Sequence, residues 1–335
     1  MSAQDLSKLG LDTAHSVLAK LPPSVQRALL NSYVQKALGV LVALRLVKGL
    51  NSYLSKRAQN NGQSISKWSP QKELVVVTGG CSGIGKQIME DLSRMNVKTI
   101  ILDLNEPNFS LPPNVFFYAA DVTSRAVVKD VAGQIRKDHG HPTILVNNAG
   151  VGFPGTILDE PDERIRLTME VNTLSHFWTV KEFLPSMIQR NHGHIITLAS
   201  MASFVSFGET VDYTCSKASA LAFHEGLTQE IRHWYGSKKV MSSSVIHPLW
   251  VRTPMIDAIL KAGKHWTQPV MGPEEVSSAV IEQLVSGNGG QVVVPSSYGL
   301  ASLVRGLPNW LQERVRDNAS KDFVKLRQLE KEIGL

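Results

Sequence analysis

From residue 73 onward the sequence predicts an α/β protein with a doubly wound, seven-stranded parallel sheet. Two observations carry this. Short apolar runs of strand length alternate with helix-length segments, the pattern of a sheet covered on both faces. A glycine-rich turn, TGGCSGIG at 78–85, follows the first run directly, as at a strand-to-helix junction on the carboxyl edge of such a sheet.

The runs, in order, are LVVVT at 74–78, TIILD at 99–103, VFFYA at 115–119, TILVN at 143–147, HIITLA at 194–199, VMSSSVI at 240–246 and QVVV at 291–294. Right-handed crossovers join them into one sheet. Residues 1–72 form a separate extension, amphipathic from about 24 to 57 and then polar through a linker, RAQNNGQSISKWSPQ at 57–71. Residues 296–335 form a C-terminal amphipathic helical extension, where Leu300, Leu303, Val304, Leu307, Leu311 and Val315 recur at helical spacing beside Trp310. That stripe suits packing on the sheet or contact with a membrane.

Charge separates the regions. Of 35 Lys/Arg and 29 Asp/Glu, residues 1–72 hold ten and two, so the extension carries +8 and the remainder −2. A nucleic-acid-binding body would carry basic residues on a recognition element, and none is visible. Two cysteines, Cys81 and Cys215, make no disulfide framework, and no secretory leader opens the sequence, so a reducing, cytosol-facing location is expected.

The glycine turn fits two ligands. Gly80 to Gly85 with Lys86 spells a phosphate loop, but Gln87 stands where a hydroxyl would hold Mg²⁺. Gly79, Gly83 and Gly85 spell a variant dinucleotide fingerprint, and Asp103 ends the next strand about 20 residues on, where it can accept from a ribose hydroxyl. NAD is therefore preferred over NADP, whose phosphate Asp103 would repel; NADP is not excluded. NNAG at 147–150 closes the fourth strand with small residues that let the backbone approach a flat ring. Further on, Ser200 ends a strand, and Tyr213 and Lys217 share a helix face at i, i+4. A tyrosine acting as base near neutral pH needs its pKa lowered by about three units, ~4 kcal/mol, and a nearby ammonium such as Lys217 is expected to supply much of that.

Together TGGCSGIG, NNAG, Ser200, Tyr213-x-x-x-Lys217 and HPLWVRTPM resemble the short-chain dehydrogenase/reductase family, over about residues 73–295. The resemblance implies a Rossmann fold and NAD(P)-dependent interconversion of an alcohol and a carbonyl, with Asn172, Ser200, Tyr213 and Lys217 as a catalytic tetrad. It also implies a cofactor site at Gly79, Ser82, Gly83, Ile84, Gly85 and Asp103, with Asp121 and Val122 beside the adenine. Asn148, Ala149 and Gly150 would line it, Val251 and Thr253 would bind the carboxamide, and Lys181, Tyr213 and Lys217 would add contacts. One departure is Leu249, where the family commonly has glycine after the proline.

The extension more loosely resembles the retinol and 17β-hydroxysteroid dehydrogenases of the endoplasmic reticulum and lipid droplets. The resemblance implies a membrane-associated protein on the cytosolic face of either, with a cytoplasmic protein as the alternative. ALGVLVAL at 37–44 falls short of the ~20 residues of a spanning helix, so an interfacial helix is expected, with Arg27, Arg45 and Lys56 near one face. Phe204, Phe207, Trp250, Met255, Ile256, Leu260 and Trp266 are expected to wall an apolar substrate site. Retinoids, steroids, fatty alcohols and secondary metabolites stay open as substrates, and a homodimer stays open as an assembly. His192 and His194 have no further ligands nearby in sequence, so no metal is expected, and Cys215 is expected to pack as a small residue. A catalytically silent membrane scaffold and, more distantly, a phosphate-loop NTPase are the alternatives in function.

Overall fold

A computed structural model describes residues 21–60, 68–236 and 241–333. The chain divides into two compact units, Met1–Lys56 and Arg57–Leu335. The division falls inside a helix, ahead of the expected linker. In the second unit Asn60 donates through Nδ2 to Asn288 Oδ1 (2.9 Å) and accepts the Gly289 N–H (3.0 Å), so the body begins before residue 70.

The first unit contains α1 (Pro23–Leu30) and the greater part of α2 (Ser32–Gln59). Within α2, Leu41, Val42, Leu44, Leu46, Val47 and Leu50 are each 56–68% exposed. At 100° per residue these side chains surround the helix instead of forming one stripe. Arg45, Lys48, Ser52 and Lys56 nevertheless fall within about 80° of one another on the helix, so the expected amphipathic character stands, and α2 is also long and apolar enough to cross a bilayer. The eight-residue run at 37–44 understated its length because Arg45 and Lys48 interrupt the sequence without ending the helix.

The second unit is a seven-stranded parallel sheet in the order β3-β2-β1-β4-β5-β6-β9. The strands are β1 (Leu74–Thr78), β2 (Lys98–Asp103), β3 (Val115–Ala119), β4 (Ile144–Asn147), β5 (Gly193–Leu198), β6 (Met241–Pro248) and β9 (Gly290–Val294). All seven expected strands are present, with ends unchanged in β1 and β3 and moved by at most two residues in the others. β1 is buried along its whole length, so its continuous apolar run has no polar face. Helices α3 (Gly83–Arg94) and α9 (Pro273–Ser286) cover one face, where Val77, Ile88, Met89, Val146, Ile196 and Val280 share a core. The other face carries α4 (Arg125–His139), α6 (Ser175–Arg190) and α7 (Val211–His233), packed through Val131, Ile135, Phe183, Met187 and Leu227.

Two features position the carboxyl edge. A short parallel pair, β7 (Trp250–Val251) with β8 (Val270–Met271), braces the long connection after β6, which also contains α8 (Asp257–Ala262). A helix, α5 (Asp162–Met169), runs through a π-turn at Glu170–Leu174 into α6. After β9 the chain makes 3₁₀ turns over Ser296–Gly306 and ends in α10 (Asn309–Ile333). The expected C-terminal stripe is split by this geometry: Val304 is buried, while Leu300 and Leu303 are 79% and 60% exposed.

Candidate active site

The glycine turn is built by backbone. Gly79 sits at φ +66°, the left-handed region that glycine adopts at little cost, and its N–H donates to Leu102 O at 2.7 Å. A Cβ on Gly85 would lie 2.1 Å from Gly79 O, so only glycine lets α3 start this close to the turn. Ser82 precedes the helix, exposed and with no side-chain capping bond, so its hydroxyl and the first N–H groups of α3 form an anion-binding end. Ile84 packs inward on the core. Thr78 ties this turn to the next strand, its Oγ1 accepting the N–H of Asn148 and of Ala149, each at 3.0 Å. The Asn148 side chain returns the tie, donating to Thr78 O (2.9 Å) and Gly79 O (3.0 Å). The side-chain amide of Asn148, a residue expected to line the cofactor, thus holds the turn.

Asp103 lies beside the same turn. Its Oδ2 accepts the Cys81 N–H at 2.9 Å and its Oδ1 the Asn105 N–H at 3.1 Å, each oxygen keeping a further lone pair. The carboxylate and burial push the Cys81 thiol up to about 12, burial being the larger cause. Asp121 is folded on itself, its Oδ1 accepting from Thr123 N–H and Oγ1, and Val122 is buried. Lys86 is turned aside, over the Phe109 ring at 4.4 Å and 3.9 Å from Glu90, and Gln87 bonds Asp91. Neither reaches across the turn as a phosphate loop requires.

Asn172, Ser200, Tyr213 and Lys217 converge at the ends of β4 and β5. Lys217 is buried, donates from Nζ to Leu198 O at 2.9 Å and lies 5.6 Å from the centre of the Tyr213 ring; burial lowers its pKa to about 8. A Cβ on Gly150 would lie 3.5 Å from Lys217 Nζ and 3.4 Å from Asn172 Oδ1, which places all three at one point. The Ser200 hydroxyl lies near enough to the Tyr213 phenol to favour its ionised form. Two residues not singled out from the sequence complete the arrangement. His247, buried beside Phe204 and held near pKa 4 chiefly by burial, donates its Nδ1–H to Ser200 O at 3.0 Å, and Ser216 accepts from Asn172 Nδ2 at 3.0 Å. A histidine before proline at a strand end carries no pattern that reveals such a contact.

Two expectations need correction, those for the Tyr213 pKa and for Cys215, and two further site residues, Asn172 and Lys181, are placed as follows. The Tyr213 pKa is raised, not lowered: burial dominates, and the nearby Ser200 hydroxyl only partly opposes it. The Asn172 side chain is committed to structure, with Oδ1 accepting Val151 N–H (2.9 Å) and Nδ2 donating to Val151 O (2.8 Å), on the π-turn that inserts it between α5 and α6. Lys181 is exposed, its ammonium over the Trp178 ring at 5.5 Å and about 13 Å along the helix from Asn172. Cys215 is exposed, since the face of α7 opposite Ser216 and Lys217 looks outward.

The connection after β6 meets the glycine turn: a Cβ on Gly83 would lie 3.0 Å from Thr253 Cγ2. Val251 points into the core, paired with Met271. Leu249 does not disturb this path, because its N–H donates to Val294 O at 2.9 Å and it continues the pairing of β6 with β9.

A sequence model of the family described as short chain dehydrogenase matches residues 73–263. The chain belongs to that family. Dehydrogenase RED2 of Cochliobolus heterostrophus is 44% identical to this short chain dehydrogenase over 62% of the chain and 79% of its own length. Human 17-beta-hydroxysteroid dehydrogenase 13 is 33% identical over 67% of the chain and 75% of its own length. Human estradiol 17-beta-dehydrogenase 11 is 30% identical, over 80% and 89%. A short chain dehydrogenase/reductase from Burkholderia phymatum, solved in complex with NAD, superposes with TM-score 0.61 at 22% identity, over 70% of this chain and 92% of that one, and shares the fold.

The expected apolar wall is largely internal. Phe204, Ile256 and Trp266 are buried, and Phe207, Trp250 and Leu260 pack with Phe323 and Leu326 of α10 in a small separate core. Met255, 43% exposed, borders the site, since a Cβ on Gly152 would lie 3.6 Å from its Sδ and 2.9 Å from Tyr213 Cδ2. Strand-flanking aromatics look alike in sequence whether they face a ligand or a C-terminal helix.

Proposed function

We propose that the protein is an NAD(P)-dependent oxidoreductase that interconverts a lipophilic alcohol and its carbonyl compound, with Tyr213 as acid and base. The observation that carries this reading is the buried ammonium of Lys217, 5.6 Å from the centre of the Tyr213 ring and held on Leu198 O, with Ser200 close enough to act on the phenol.

The residues present suit a dinucleotide. The Gly79–Gly85 cradle, the unspent Ser82 hydroxyl and the start of α3 match a pyrophosphate, and Asp103 offers lone pairs for ribose hydroxyls. NAD is favoured on this ground. The nicotinamide, when bound, accepts or supplies the hydride. In oxidation Ser200 holds the substrate oxygen by hydrogen bonding while Tyr213 Oη takes the hydroxyl proton; in reduction Tyr213 returns it. Burial opposes the phenolate, so the Lys217 charge and the Ser200 donor must offset that cost before Tyr213 can act as base. The names of the steroid dehydrogenase relatives support a lipophilic alcohol as substrate.

Tyr213→Phe is expected to lower turnover by about 10²- to 10⁴-fold and leave the NADH dissociation constant within about twofold. The assay is a panel of steroid, retinoid and long-chain alcohols against sugars, each with NAD and NADP. Undiminished turnover would remove Tyr213 from the mechanism, and efficient turnover of sugars alone would remove the lipophilic assignment.

The same proposal places α2 in a membrane, at the endoplasmic reticulum or a lipid droplet, on the strength of its length and its exposed apolar side chains. A chain starting at Arg57 keeps the Asn60 bonds and is expected to leave the membrane pellet; continued sedimentation would refute attachment through α2.

A further inference from the structure

Three loops leave the carboxyl edge of the sheet on the side of Tyr213: residues 148–161 after β4, 199–210 after β5 and 249–272 after β6. Helix α10 touches all three. The third is held by Asp322, whose buried carboxylate accepts from Thr267 Oγ1 (2.9 and 3.0 Å) and Gln268 Nε2 (3.2 Å), and by Phe323 against Trp250 and Trp266.

The first two loops are joined through one side chain. The Arg327 guanidinium pairs with Asp159 of the first loop and, at 3.2 Å, with Glu209 of the second. Glu209 is one of three non-glycine residues with positive φ among those described, at +63°. Its carbonyl accepts the Gly155 N–H at 2.9 Å, so its backbone conformation also sets the path of the first loop. Just before it, Gly208 N–H donates to Ser320 Oγ of α10 (3.2 Å), and Phe207 stacks on Phe323 with ring centres 5.2 Å apart. The first loop in turn reaches the reacting tyrosine, because Gly152 lies so close that a Cβ there would be 2.9 Å from Tyr213 Cδ2. An ordinary partly exposed ion pair contributes little. This one ends on a residue held in a backbone region that side chains disfavour, four positions before Tyr213, and such strain persists only where the surroundings impose it.

We propose that Arg327 is a positioning residue that holds the loops of Asp159 and Glu209 in a single arrangement against Tyr213 and thereby sets how the substrate is bound. The inference rests on the reading of Tyr213 as the acid and base. Without the guanidinium, Glu209 is free to leave the left-handed region, the Gly155 bond is released, and the loop bearing Gly152 moves away from the tyrosine ring. The glycine turn and Asp103 stand on β1 and β2 and make no contact with Arg327 among those found, so cofactor binding is expected to be untouched.

The test compares wild type with Arg327→Ala, Arg327→Lys, Glu209→Gly and the Arg327→Ala/Glu209→Gly pair, all in the full chain. In Arg327→Ala, peptides covering 151–162 and 204–212 should exchange amide hydrogens at least about tenfold faster, while those covering 74–86 keep their wild-type rate. With the best-used steroid or long-chain alcohol of the panel, KM should rise about tenfold, kcat should change less than threefold, and NADH should bind within twofold. Arg327→Lys should recover part of the loss. Glu209→Gly relieves the left-handed demand, so adding Arg327→Ala to it should cost much less than in wild type. Equal losses in KM and NADH affinity, an unchanged exchange pattern, or a full Arg327→Ala penalty in the Glu209→Gly background would each overturn the proposal. Should Arg327→Ala fail to fold, Glu209→Gln, which keeps an acceptor and removes the charge, must show the same exchange pattern and KM shift. Activity retained by Tyr213→Phe would separately defeat the acid and base reading, and the exchange result would still decide whether Arg327 holds the loops.

Discussion

The two halves of the carboxyl edge are built from different materials. On the side of β1 and β2 the glycine turn is shaped by backbone: Gly79 in a left-handed conformation, Gly85 against Gly79 O, and peptide groups tied by Thr78 and Asn148. On the side of β5 and β6 the loops are shaped by side chains that come from more than fifty residues away, Arg327, Phe323 and Ser320 of α10. A backbone-built site gives a fixed geometry suited to a ligand that does not vary. A site held by side chains from a terminal helix can change its lining through substitutions that leave the sheet alone.

The sharpest way to break this contrast is on the backbone side. Gly85→Ala puts a methyl 2.1 Å from Gly79 O, a contact that the turn cannot accept without moving. The expected result is a stability loss of about 1–3 kcal/mol and NADH binding weakened at least about tenfold, read by thermal unfolding and fluorescence titration. An alanine variant with wild-type NADH affinity would show that the turn tolerates movement and that the contrast is false. On the other side, Asp322→Ala strips Thr267 and Gln268 of their acceptor. Hydrogen bonds to a charged group contribute about 1.5–3 kcal/mol, so Tm should fall by several degrees while the NADH dissociation constant stays within about twofold. A matching loss of NADH affinity would mean that the two halves are one cooperative unit.

The same contrast explains what could be read in the sequence. The seven strands and the glycine turn were legible because each is a local pattern: an apolar run such as LVVVT, or a glycine where φ or a close approach excludes other residues. Asn172, Ser200, Tyr213 and Lys217 were legible as a set, because their spacing matches a family motif, but not in their electrostatics. Whether Lys217 lowers the Tyr213 pKa depends on how deeply the phenol is buried, and depth is a property of the whole packing. Phe207, Trp250 and Trp266 were misjudged for a related reason. Their partner, Phe323, lies more than fifty residues downstream, and apolar composition does not distinguish a ligand surface from a helix docking site. Around α2, two charges in the middle of the run concealed an apolar span long enough to cross a bilayer.

The π-turn at Glu170–Leu174 makes the chain unusually sensitive to length at one point. It holds one residue more than an α-helical turn would. Losing a single codon there would turn α5 by about 100° relative to α6 and carry Asn172 off Val151 and Ser216, though neither helix need lose its own hydrogen bonding. Substitutions on these helices can be gradual in their effects, but a deletion of one residue in this stretch has no small version, so the number of residues between Asp162 and Arg190 is itself part of the site.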